Sequence, residues 1–536
     1  MMEAQRSNEE KSRKEEKWFA AADEQYARFK TRLESLEALG MEHSELEKVI
    51  EREGYELMRL LYQDHLILRA WSEGDAREQG PVVGSDGLER RHRRSETKRG
   101  MMTPFGVVEV ERAGYSAPGC ASLYPLDAEL NLPSDSFSHG VRERVARETA
   151  KSSFEETVQM LTRTSGARVG KRQVEELAVA AARDFEEFYA TREETAAKEQ
   201  ESSGALLVLS TDGKGICMRP EGLREGTRKA AEKRAREPGP PEQSLAQHRR
   251  HAKRMATVAA VYNIEPYVRA PEDIVRNLRG VADTAEQARR PRPENKRVWA
   301  SIIESPGKVI RDAFDEGLRR DPERSKRWVA LVDGNEPQLA ALEQQAKERG
   351  IALTIVVDLI HVIGYLWGAA RVLGGDAARE QHPWVQERLL SLLQGKCVDV
   401  AAGMRRSATL RDLPQKARAP VDDCADYLLK YQDYLRYHEY LAAGLPIATG
   451  VIEGACRHLV QDRMAITGAR WGLEGAEAIL RLRALHISGD FEPYWRFHLA
   501  QERLLNHTML YARQPPSTRP APRSSPPARP HLRLVP

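Results

Sequence analysis

The 536-residue sequence is most informative first in what it lacks. Its five cysteines (Cys120, Cys217, Cys397, Cys424 and Cys456) lie far apart, without one Cys-x-x-Cys pair. That spacing excludes a disulfide framework and a complete zinc ribbon, and a reducing, cytoplasmic setting is expected. No apolar run reaches the ~18 residues that span a bilayer, so no membrane partner is expected. The stretch "MMEAQRSNEEKSRKEEKW" is charged and acid-containing and does not read as a secretory signal. Strong net charge is missing too. At +3 the overall field does not announce a polyanion.

What is present is a composition of 41% hydrophobic and 30% charged residues, which suits a soluble protein with a real core. The length allows three or four domains. Basic residues gather locally, in "LERRHRRSETKRG" (88–100), "REGTRKAAEKRAR" (224–236) and "HRRHAKR" (248–254). Any one such run fits a solvated face or a flexible arm, and three in one chain point toward a polyanion partner.

Along the chain, residues 9–75 have the apolar spacing of helices, as in "LEKVIEREGYELMRLL". A basic stretch leads to about residue 100, and 103–127 alternates like a small β element. Two amphipathic helices flank "RTSGARVGKR", with Ser153 and Glu156 spaced as a capping box. Helix, turn at Gly166, and a helix carrying Arg168, Lys171, Arg172 and Gln173 near its start match a DNA-reading helix-turn-helix. An ordinary αα-hairpin has the same pattern.

A different kind of region begins at "ALLVLSTDG". Short continuous apolar runs, read as strands buried on both faces, recur at "ATVAAVYNI", "RWVALVDG" and "IALTIVVD". Residues 219–252 read as a loop, 296–320 as a helix, and 335–350 as a helix with Gly350 as its C-cap. Residues 359–445 read as all-helical, 444–488 as two further helices, and the Pro/Arg/Ser-rich tail from about 514 as disordered.

The run of strand, strand, strand, helix, strand, helix, strand, helix is the order of a ribonuclease-H-like α/β domain. Asp212 and Asp333 are expected to end its first and fourth strands, each followed by a glycine that lets the backbone turn. Glu453 opens a late helix in "TGVIEGACRH". Three gathered carboxylates repel one another unless a cation lies between them, and hard oxygen ligands suit Mg²⁺ or Mn²⁺. Two such ions serve phosphodiester chemistry. Aspartates at strand ends are also common turn formers.

The ordered set "LSTDGKGI", "ALVDGNE", "DLIHV", "GVIEGACRH" and "ITGARWG" resembles the DDE transposases of bacterial insertion sequences. It is most similar to the Mutator-like branch, and within that to the Kra-type insertion-sequence transposases, over roughly residues 100–490. The resemblance implies a multidomain α+β protein. N-terminal helices and a basic linker would fill 1–100, a degenerate zinc-ribbon-like element 101–130, and a helix-turn-helix region 131–200. The ribonuclease-H-like core would run over 203–358, be interrupted by an all-helical insertion at 359–445, resume with the Glu helix at 446–490, and end in a C-terminal region at 491–536. It implies Asp212, Asp333 and Glu453 as catalytic metal ligands for Mg²⁺ or Mn²⁺, with two ions. Asp358 and His361 match the Asp-x-x-His element and would orient DNA or buttress the site. Two alternatives stay open: Asp358 as the second ligand, and His361 as a core histidine.

Arg470 and Trp471 match the Arg-Trp pair, where the Trp would stack on an unpaired base or simply pack at a helix junction. Arg457, His458 and Arg463 would contact phosphate. In "YSAPGCAS", Ala117 stands where relatives carry the first Cys of a pair and only Cys120 remains, so the ligand set for a structural zinc is incomplete. The implied activity is cleavage at terminal inverted repeats of double-stranded DNA and strand transfer to a target. A homodimer or larger assembly would join the ends, with the N-terminal helices as its interface. The rivals are a nuclease without strand transfer and a non-catalytic DNA-binding derivative.

Overall fold

The computed structural model describes residues 18–75, 81–192, 204–235, 252–278, 290–375, 378–448, 450–515 and 518. It is a mixed α+β protein of two compact units. One is Met1–Asp184 with Glu492–Pro536, and the other is Phe185–Phe491. No helix of the described residues is long and apolar enough to cross a membrane.

The first unit opens with helices Ala20–Leu33 and His43–Asp75. They pair antiparallel within the chain: Trp18 meets Trp71 at 5.0 Å, the Ala22 N–H donates to Asp64, and Arg32 pairs with Glu53 at 2.8 Å. Residues 9–17 of the expected helical region lie outside the described residues. Strands β1 (Val82–Val83) and β2 (Glu89–Arg90) form a small antiparallel pair, and β3 (His92–Thr103) and β4 (Gly106–Ser116) form a long hairpin. The basic run expected to lead as a linker to residue 100 is therefore largely strand. The alternating "VVEVER" of β4 needs a partner, and the polar β3 supplies one while keeping half of its side chains exposed.

Helices His139–Thr149, Phe154–Thr164 and Lys171–Ala181 pack around Val141, Val145, Leu161, Val169, Val174 and Leu177. Ser153 and Glu156 form the expected capping box. Beyond helix Phe491–Asn506, Tyr511 bridges to Gly84, and the Thr518 N–H donates to Glu129. The rest of the tail from 516 lies outside the described residues.

The second unit is built on one five-stranded mixed sheet of β5 (Leu206–Cys217), β6 (Lys253–Ile264), β7 (Glu294–Ser301), β8 (Arg327–Val332) and β9 (Leu353–Val357). The strand order is β7-β6-β5-β8-β9. The pairs β7–β6 and β6–β5 are antiparallel, and β5–β8 and β8–β9 are parallel. The apolar runs of β5, β8 and β9 are buried on both faces where the three strands pair.

Two expectations need correcting. The helix expected over 296–320 begins only at Pro306, because "RVWAS" is β-branched and aromatic and forms β7, while Ser305 caps helix Pro306–Arg320 with proline in its first turn. The loop expected over 219–252 contains helix Glu225–Ala235, and residues 236–251 lie outside the described residues. Gly350 ends helix Glu336–Arg349 in the left-handed conformation, as its sequence position predicts. After β9 come helices Leu359–Leu373, Ala378–Leu393, Cys397–Leu410, Gln415–Lys430 and Tyr437–Ala442, with no strand among the described residues.

Candidate active site

Strand register aligns the aspartates. Thr211 of β5 pairs with Val332 of β8, and Val332 pairs with Val357 of β9. The next residue on each chain is Asp212, Asp333 and Asp358. The three therefore follow one row of the sheet on neighbouring strands, which lie about 4.8 Å apart. The Asp358 N–H donates to the Val332 carbonyl at 2.8 Å, which carries the row past the end of β8.

Asp212 does not end its strand as expected. β5 continues to Cys217, held by β6 through the pair Cys217–Lys253 and on its other side by a bridge between Met218 and Trp471. Gly213 accordingly lies within the strand and makes no turn. Gly334 does make one: its φ is +90°, and an added Cβ would come within 3.0 Å of the Tyr427 hydroxyl.

The carboxylates are held differently. Asp212 accepts the Gly213 N–H on Oδ1 at 2.6 Å and the Cys456 thiol on Oδ2 at 3.1 Å. Asp333 accepts the Asn335 N–H at 3.0 Å, and its backbone carbonyl accepts the Tyr427 hydroxyl at 2.9 Å. Asp358 is buried and caps helix Leu359–Leu373 by accepting the Ile360 N–H at 2.9 Å.

Glu453 lies on helix Gly450–Ala455, which packs over β5 and β6 and widens into a π turn over Cys456–Gln461. Its carboxyl is held above the ordinary carboxylate range, by partial burial first and then by the negative charges of Asp358 and Asp212. These three acidic groups thus share an electrostatic environment. Among the described residues no three His, Cys, Asp or Glu side chains are gathered closely enough to hold an ion. The chemistry of the donor set still fits a hard divalent cation, because carboxylate oxygens are its ligands and a cation would offset the negative charges of Asp358 and Asp212 that act on Glu453.

His361 is exposed on the first turn after Asp358, so it is not a core histidine. Its ring lies 5.7 Å from Tyr365 and 6.0 Å from Tyr427, and those two tyrosines stack at 4.1 Å. Burial, reinforced by Asp333 and Asp358 among its neighbours, keeps the Tyr427 hydroxyl protonated. Arg457, His458 and Arg470 are exposed.

Two expected DNA contacts are corrected. Trp471 is 5% exposed, its indole N–H donates to the Met464 carbonyl at 2.9 Å, and the buried Arg463 guanidinium lies 4.9 Å over its ring. Both side chains pack the junction, so neither presents a face to a base or a phosphate. In the first unit, Arg168, Lys171, Arg172 and Gln173 are exposed. Arg168 precedes helix Lys171–Ala181, and the Gln173 side chain accepts the Gly170 N–H at 2.9 Å. Cys120 is a free thiol.

Sequence reasoning missed Cys456 and Tyr427. A signal existed for the first: Cys456 is three residues after Glu453 on one helix face. Tyr427 gave none. Neither the comparison with protein-family models nor that with curated proteins gives a match.

Proposed function

We propose that this protein is a DNA transposase of the DDE type, binding the terminal repeats of its element and catalysing strand cleavage and strand transfer. The observation that carries this is the alignment of Asp212 and Asp333 beyond one row of parallel strands, with Glu453 close enough to Asp212 to be shifted by its charge. The strand order β7-β6-β5-β8-β9, with only β6 antiparallel to its neighbours, agrees with a ribonuclease-H-like core. So does the helical segment between β9 and the Glu453 helix.

Asp212, Asp333 and Glu453 would hold Mg²⁺ or Mn²⁺, and two bound ions supply nucleophile activation and leaving-oxygen stabilisation. The chain's own residues do the rest. The carboxylates fix where the scissile phosphate is held, Tyr427 braces the Asp333 turn, and exposed Arg457 and Arg470 offer cations, and His458 an imidazole, to the DNA backbone. Arg168, Lys171, Arg172 and Gln173 belong to a three-helix cluster suited to groove reading as a helix-turn-helix.

One observation favours a second assignment within this function. The acidic neighbours that shift Glu453 are Asp358 and Asp212, and Asp333 is not among them. Asp358 would then be the second ligand and Asp333 a turn residue.

The test is cleavage and joining of a duplex from the DNA flanking the gene, with Mg²⁺ or Mn²⁺. Asp212→Asn and Glu453→Gln are each expected to abolish both reactions, a loss of about 10³-fold or more, with end binding kept. A dead Asp333→Asn with an impaired Asp358→Asn supports the first assignment, and the reverse pattern the second. A wild type that binds ends yet never cuts sinks the enzyme reading altogether.

A further inference from the structure

The contact between Cys456 and Asp212 joins two elements that are 244 residues apart in sequence. Cys456 is 4% exposed, and its Sγ lies 3.1 Å from Asp212 Oδ2. It stands where the Glu453 helix widens from α to π, a local irregularity that persists only with compensating contacts. Glu453 and Cys456 are three residues apart and so are neighbours on the helix surface, with Cys456 the one that meets β5.

The choice of side chain has a chemical logic. A carboxylate in place of Cys456 would repel Asp212, and a lysine would neutralise it and compete with a cation. A thiol donates one weak hydrogen bond and leaves the negative charge in place. Asp212 Oδ1 accepts the Gly213 N–H, so the carboxyl is fixed from both sides.

We propose that Cys456 is a positioning residue whose thiol docks the Glu453 helix on Asp212 and sets the separation of the two carboxylates. This rests on the reading of Asp212 and Glu453 as a metal-dependent pair. Cys456 itself touches no substrate.

The test compares full-length wild type, Cys456→Ala and Cys456→Ser in three measurements: strand cleavage, binding of Mn²⁺ alone by calorimetry, and thermal midpoint. Cys456→Ala is expected to lower cleavage and weaken Mn²⁺ binding about tenfold each, roughly 1.4 kcal/mol, with end binding and midpoint unchanged. Cys456→Ser, which keeps a donor, is expected to recover most of both. A fourth measurement is independent of activity: the infrared S–H stretch assigned to Cys456 by difference should shift in Asp212→Ala.

Cys456→Ala matching wild type in cleavage and Mn²⁺ binding overturns the proposal. So does Cys456→Ser as impaired as Cys456→Ala, which assigns the thiol to packing. Where Cys456→Ala loses thermal stability, an S–H band indifferent to Asp212→Ala overturns it. A wild type that neither cleaves nor binds Mn²⁺ overturns the functional reading itself, and an S–H shift surviving there leaves the contact purely structural.

Discussion

Individual carboxyl groups in this chain carry unequal costs, and burial decides which. Glu73 in the first unit is 5% exposed and accepts the Ala113 N–H at 2.8 Å, yet burial pushes its carboxyl up to about 7. A carboxyl with a raised folded value binds its proton more tightly when folded than when unfolded. The folded state is therefore favoured as pH falls from above 7 toward 4.5, and that advantage is gone above about pH 7. The difference amounts to about 3 kcal/mol at most. Glu73→Gln should flatten this slope, so urea unfolding across that window would show a wild type gaining stability toward acid and a variant that does not. An equally steep variant would mean that other groups carry the pH dependence. Glu453 is shifted in the same direction, by burial first and then by the negative charges of Asp358 and Asp212.

At the scale of the element, turns and caps set where the acidic residues project. Gly334 shows this most directly, because its φ of +90° and the nearby Tyr427 hydroxyl both exclude a Cβ. Gly334→Ala is expected to destabilise the second unit by about 1–3 kcal/mol and to cut strand cleavage by displacing Asp333. Calorimetry together with a cleavage assay checks both parts, and unchanged values would show that the turn tolerates a side chain. Gly213 shows the contrast. The same Asp-Gly pair there lies inside β5, since β6 continues to supply ladder partners. Identical dipeptides thus take different conformations, and the neighbouring strand decides between them.

At the scale of the whole molecule, a net charge of +3 means that the DNA binding of the proposed function would rest on local groups. Arg172 is exposed and pairs at the surface with Glu176 at 2.9 Å. Arg172→Ala should weaken end binding and reduce the slope of log affinity against log salt by about 1 if it contacts one phosphate. An unchanged slope, measured by titration across salt concentrations, would remove it from the interface.

The sequence by itself determined what depends on local chemistry. The Ser153 capping box, the Gly350 C-cap, the buried apolar strands β5, β6, β8 and β9, and the aspartates placed after β8 and β9 all follow from side-chain periodicity and turn preference. β7 was misread because its short apolar run abuts a capped helix, and the two merge into one pattern. Only the tertiary structure decided that Asp212, Asp333 and Asp358 share a row, that β5 runs on past Asp212, that Trp471 and Arg463 are buried, and that Cys456 meets Asp212. Those outcomes depend on strand register and helix docking between segments far apart in the chain, where many weak contacts act together and no short stretch of sequence specifies the result.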